Sequence, residues 1–198
     1  MNQTIDYYNE NAENFIETTR DVDMHEAQDR FLALLNAGAS VLDFGCGSGR
    51  DTKYFLDKGC IVTATDGSEE LCRAASIFTG IEVKCMLFQD LDESNVYDGI
   101  WACSSILHLK KTELLPVIRK MNDALKANGV IYTSFKYGEF EGERGGRYFT
   151  DFTEQAFREF LVGIPGLMIE KCWITGDVRP GRNTEKWLNV LIRKCIIF

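Results

Sequence analysis

The chain has 198 residues, and 22 basic against 30 acidic side chains leave a net charge of −8 at pH 7. At 45% hydrophobic and 12% aromatic it can bury a substantial core in one compact domain. It contains no run near the roughly 18 apolar residues of a membrane span, its polar MNQTIDYYNENAENF start excludes a secretory signal, and its acidity argues against bare nucleic acid as a partner.

Tyr8, Ala12 and Phe15, spaced by four and three, predict a helix, and Phe31, Leu32, Leu34 and Leu35 close a second helical stretch. Residues 1–35 are therefore expected to form a helical cap. From Ser40 the pattern becomes strand–helix alternation. Val41 to Phe44 reads as a short strand running into Gly45-Cys46-Gly47-Ser48-Gly49, and the next helix stops at Gly59, a residue suited to a left-handed end. Ile61 to Thr65 is β-branched and strand-like, and Ser68-Glu69-Glu70 provides a helix cap with an acidic first turn. Further strands are predicted at 83–88, 99–103 and 130–135, with a helix at 112–126 that tolerates Pro116 near its first turn.

Strands at this repeat, joined by helices, predict an α/β fold with a parallel sheet covered by helices on both faces. Segments 167–175 and 186–192, joined by turn-rich GDVRPGRN, add an antiparallel hairpin at its edge. The seven cysteines, at 46, 60, 72, 85, 103, 172 and 195, form no CxxC pair. No metal site is expected, and the thiols are expected to be free in a reducing cytoplasm, with Cys85 and Cys103 inside apolar runs.

In an open α/β sheet, ligands bind at the carboxyl ends of the strands. Gly45, Gly47 and Gly49 occupy that position after the first strand, and Asp66 ends the second, placed to accept both hydroxyls of a ribose. A nucleoside derivative is the expected ligand. A dinucleotide site uses GxGxxG to bring pyrophosphate onto bare backbone donors. Here the pattern is GxGxG preceded by Asp43, whose carboxylate would repel a pyrophosphate but suits an ammonium. S-adenosylmethionine combines an ammonium with a phosphate-free nucleoside.

The motifs VLDFGCGSGRD, TATDGS, FQDLD and YDGIWACSSILHL, in this order and spacing, resemble those of class I S-adenosylmethionine-dependent methyltransferases over about residues 5–198. The GCGSGR sequence and the YYNENAENF helix are similar to those of the small tellurite-resistance-protein-like methyltransferases. The resemblance implies a Rossmann-like, seven-stranded, mostly parallel sheet. It divides the chain into the cap (1–35), a cofactor-binding core (36–137), and a substrate lid with closing strands (138–198). It also implies that Gly45, Cys46, Gly47 and Gly49 form the cofactor loop, Asp43 holds the methionine end, and Asp66 with Gly67 meets the ribose. Gln89, Asp90 and Leu91 would surround the adenine, and Cys103 and Ser104 would pass under the methionine chain. Tyr8 and Phe15 would lie over the cofactor, where an aromatic face attracts a sulfonium.

His108 is a candidate to accept a proton from the substrate, or else a histidine hydrogen-bonded into its loop to shape the pocket. Segment 136–149 is glycine-rich, aromatic and charged, and reads either as a mobile surface loop or as a substrate lid offering Arg144 and Arg147 to a carboxylate or oxyanion. The expected partner is a small-molecule methyl acceptor, reached without membrane or nucleic acid, by a cytoplasmic monomer or weak homodimer. Rival readings are a nicotinamide-dependent oxidoreductase, a non-catalytic S-adenosylmethionine-binding regulator, and a methyltransferase acting on tRNA or protein.

Overall fold

The computed structural model describes residues 3–179, 181–182 and 184–195. Three short helices, α1 (Gln3–Glu10), α2 (Ala12–Thr19) and α3 (His25–Leu32), precede the sheet. Helices this short gain little from propensity alone and persist because they pack on the core.

Strands β1 (Ser40–Phe44), β2 (Ile61–Asp66), β3 (Val83–Cys85), β4 (Tyr97–Ala102) and β5 (Leu125–Lys136) are joined by α4 (Arg50–Asp57), α5 (Glu69–Thr79) and α6 (Lys111–Ala124). Then follow a small hairpin, β6 (Glu141–Arg144) and β7 (Arg147–Thr150), helix α7 (Glu154–Leu161), and strands β8 (Leu167–Gly176) and β9 (Lys186–Lys194). The main sheet has seven strands in the order β3-β2-β1-β4-β5-β9-β8. The first five are parallel, and β9 runs antiparallel between β5 and β8. This is the Rossmann-like fold expected from the strand–helix alternation. No helix among the described residues is long and apolar enough to cross a membrane.

Period-two alternation sorts β1 between the two faces. Leu42 and Phe44 join Ile100 and Ile131 beneath α6 and α7. Val41 shares the other face with Trp101 and Tyr132, packed on Phe31 of α3 and Phe55 of α4. The Trp101 and Tyr132 rings stack with centroids 3.9 Å apart. At the start of α5 the Ser68 hydroxyl accepts from the Leu71 amide at 3.2 Å, and Gly59 ends α4 with φ +83.

Three local expectations change. The third strand is only three residues long, because the chain leaves the sheet at Met86 for a 3₁₀ turn at Phe88–Asp90; at this sheet edge Cys85 is exposed rather than part of the core. Helix α6 begins at Lys111, so Pro116 lies in its second turn, where it cannot donate to the Thr112 carbonyl. Segment 141–150 is an ordered hairpin rather than a loop, held by Tyr148 N donating to Thr4 Oγ1 at 3.1 Å and Thr150 Oγ1 to the Leu109 carbonyl at 2.7 Å.

Candidate functional site

Strand order reverses between β1 and β4, and the crevice opens above their carboxyl ends. One wall is the glycine loop. Gly45 adopts φ +86, and a Cβ there would stand 2.4 Å from Cβ of Ser105. Ser105 is fixed in turn by donating to the Phe44 carbonyl at 2.6 Å. Gly47 adopts φ +55, and a Cβ would stand 2.9 Å from the Phe15 ring, which therefore closes over the loop. Both features require residues without side chains.

The loop's donors are largely engaged. Gly45 N and Cys46 N both donate to the Thr65 carbonyl at 2.9 Å, and Gly47 N donates to Oδ2 of Asp66 at 2.9 Å. The other Asp66 oxygen accepts from Ser68 N at 2.9 Å. Burial raises the Asp66 carboxyl above the usual range despite these bonds. The loop thus presents a carboxylate edge and few free amides, which suits hydroxyls or a cation and not a pyrophosphate.

A second acidic centre lies behind the loop. Asp51 is buried and accepts from Gln28 Nε2 at 2.6 Å, Trp101 Nε1 at 2.8 Å, and Arg50 Nε and Nη2 at 2.8 and 2.9 Å. Burial opposes its ionisation, but the Arg50 charge and these donors hold its pKa below the ordinary value. Asp43 has no such cation bonded to it. It accepts from Thr52 Oγ1 at 2.5 Å, and burial together with the neighbouring Asp51 pushes its carboxyl up to about 8.

Folded Asp43 therefore keeps its proton to about pH 8, whereas the unfolded group releases it near about 4. The stability this gives is fully present below the unfolded value and is lost as pH rises through the folded one. Asp43→Asn should gain in melting temperature relative to the parent as pH is raised from about 5 to about 9. Thermal melts that stay parallel across that range would refute the assignment.

Opposite the loop, the α1 side chain Tyr8 meets His108, which follows β4, with Oη 2.8 Å from Nε2. His108 Nδ1 lies 2.6 Å from the Tyr148 carbonyl, which can only accept, so Nδ1 carries the hydrogen and Nε2 accepts from Tyr8. Arg147 Nη1 donates to Tyr8 Oη at 3.3 Å. Burial, then the Arg147 and Lys136 charges, bring His108 down to about 4, although the bond to Tyr148 works the other way. His108 is thus neutral and bonded at both nitrogens, tying this wall to α1 and to the Tyr148 backbone.

Not every candidate faces the cavity. Tyr8, Phe15, Gly45, Cys46, Gly47, Asp66, Gly67, Gln89, Cys103, Ser104, His108 and Arg147 line it. Asp43 does not, because strand alternation turns it with Val41 toward α4. Gly49 does not, because it is the left-handed cap of α4, where a Cβ would press on Thr79 and Ala75 of α5. Asp90 is exposed outside the cavity, and Leu91 is fully buried in the core. Arg144 is held outside by a bond to Asp151 at 2.8 Å and stacks on Phe140 and Phe149.

The cavity also has lining that was not anticipated: Arg50 and Asp51, Ser105, Lys136, Asp177 and Arg179 of the β8–β9 turn, and Trp187 at the start of β9. The adjacency of Arg50 and Asp51 to the glycine loop was a usable signal; the contribution of the distant β8–β9 turn had none.

Residues 41–129 match the model of the Methyltransferase domain. The "Putative methyltransferase YqeM" of Bacillus subtilis (strain 168) is 29% identical over 110 residues, covering 50% of this chain and 44% of that protein. The match thus spans less than half of that relative's length. Among solved structures, the 1,6-didemethyltoxoflavin-N1-methyltransferase of Burkholderia thailandensis, with 1,6-didemethyltoxoflavin and S-adenosylhomocysteine bound, shares the fold at a TM-score of 0.76. It is 23% identical, over 96% of this chain and 85% of that one. A chain of the "Complex between the Haloferax volcanii Trm112 methyltransferase activator and the putative methyltransferase" gives a TM-score of 0.79 at 18% identity, over 98% of this chain and 99% of that one.

Proposed function

We propose that this chain, which carries a methyltransferase domain over residues 41–129, is an S-adenosylmethionine-dependent methyltransferase acting on a small-molecule acceptor. The observation that carries the reading is the state of the glycine loop: three of its amides are spent on Thr65 and Asp66. A phosphate would find few donors there and a carboxylate at its edge. A phosphate-free, cationic nucleoside derivative fits.

When bound, S-adenosylmethionine supplies a methyl group already activated on a sulfonium. The chain's own work is to bind, align and exclude water. Asp66 would accept the ribose hydroxyls with Gly67 beside it, Gln89 would flank the adenine, and Cys103 and Ser104 would support the methionine chain. Arg50 and Asp51 stand at that same end. Phe15 covers the glycine loop, and Tyr8 closes the wall toward the acceptor. Asp43 and Gly49 act one step back, the first as a buried, protonated carboxyl beside Asp51 and the second by seating α4 on α5.

Residues 1–35 and 138–198 then serve as cap and as lid with closing strands around the 36–137 core. The likeness of the YYNENAENF helix and GCGSGR to the tellurite-resistance-like group agrees with a small acceptor. A screen of thiols, amines, carboxylates and chalcogen oxyanions, followed by S-adenosylhomocysteine release, tests the activity. Turnover on at least one small acceptor is expected. Turnover confined to tRNA or protein, or cofactor binding with no turnover on any acceptor, would overturn it.

A further inference from the structure

The acceptor end of the cavity contains a charge that the fold leaves uncompensated. Arg50 pairs with Asp51, Lys136 and Arg182 with Glu185, and Arg179 with Asp177. Arg147 is, among the described residues, the one cavity-lining cation with no carboxylate partner. Its Nε is buried without any hydrogen-bond partner. Its guanidinium lies 4.4 Å from the Tyr7 ring centroid and 5.2 Å from that of Phe149.

Stacking holds such a group in place and, apart from the Nη1 bond to Tyr8, leaves its in-plane donors without a partner; such donors match a carboxylate or similar oxyanion. Its one side-chain bond, to Tyr8 Oη, leads only into the Tyr8–His108 chain, which ends at the Tyr148 carbonyl. That chain contains no anion to balance the charge. Phe149, Leu107 and Trp187 also line the cavity and give an apolar body somewhere to lie.

Resting on the methyltransferase reading above, we infer that the acceptor is a small organic anion, with an ionised group bound by Arg147 and an apolar or aromatic body against Phe149 and Trp187. Arg147 is then the residue that sets acceptor charge. Tyr8 and His108 are positioning residues that hold it.

Calorimetry on the full chain tests this with three probes of one size and different charge: benzoate, benzamide and benzamidine. S-adenosylhomocysteine is titrated first, and the probes are then titrated into the loaded protein. Benzoate is expected to bind about tenfold or more tighter than either of the others. Arg147→Met should weaken benzoate by a similar factor while leaving S-adenosylhomocysteine affinity unchanged, and Arg147→Lys should fall between.

Equal or tighter binding of benzamide or benzamidine, no benzoate binding at millimolar concentration, or an Arg147→Met chain that binds benzoate normally would each overturn the inference. Should Arg147→Met melt early, the charge preference of the parent chain still decides the matter. A parent chain that gives no heat with S-adenosylhomocysteine overturns the methyltransferase reading itself, a failure distinct from lost anion preference in a loaded site.

Discussion

Asp51→Ala is expected to destabilise the fold by about 3–5 kcal/mol, the range for removing one partner of a buried ion pair. The carboxylate takes four hydrogen bonds from three side chains, Gln28, Arg50 and Trp101. Its loss would leave the largely buried Arg50 cation at the cavity wall without its counter-charge and the Trp101 and Gln28 donors unpaired in the core. Part of the cost is offset, because Asp43 would lose the neighbouring charge that raises its pKa. Denaturant melts should show the drop, with Asp51→Asn losing less because an amide keeps an acceptor. A melt within about 1 kcal/mol of the parent would mean that this network does not hold the loop's foundation.

Asp66→Ala should weaken S-adenosylhomocysteine binding by about a hundredfold. Two charge-assisted bonds to ribose hydroxyls would be lost, and the structure adds a second reason. The same carboxylate holds Gly47 N and Ser68 N, so its removal also releases the loop and the entry to α5. Asp66→Asn separates the two effects, since an amide keeps one acceptor but sets an NH₂ group against one of those amides. Calorimetry showing unchanged affinity for Asp66→Ala would refute the ribose role.

Local patterns were enough to read the parallel sheet, the glycine loop after β1, the Ser68 cap and Asp66 at the end of β2. Each is specified within a few residues of itself. The nearness of Asp43 to the glycines suggests a place at the ligand, yet the alternation of Val41 and Asp43 against Leu42 and Phe44 puts it on the α4 side. Leu91 likewise follows the FQD turn into the core, as an apolar residue after a polar run would.

Other features were beyond local reading because they join distant segments. Asp51 is satisfied by Gln28 and Trp101, and His108 by Tyr8, one hundred residues away. The neighbouring arginines Arg144 and Arg147 look equivalent in sequence, but Asp151 pairs with the first and, among the described residues, no carboxylate pairs with the second. Burial and partner choice, which only the folded chain sets, separated them.

The most direct measurement is a pair of calorimetric titrations of the purified chain, one with S-adenosylhomocysteine and one with NADH. A carboxylate-edged glycine loop with engaged amides predicts saturable one-site binding of the first and none of the second. Binding of NADH in preference to S-adenosylhomocysteine would contradict it.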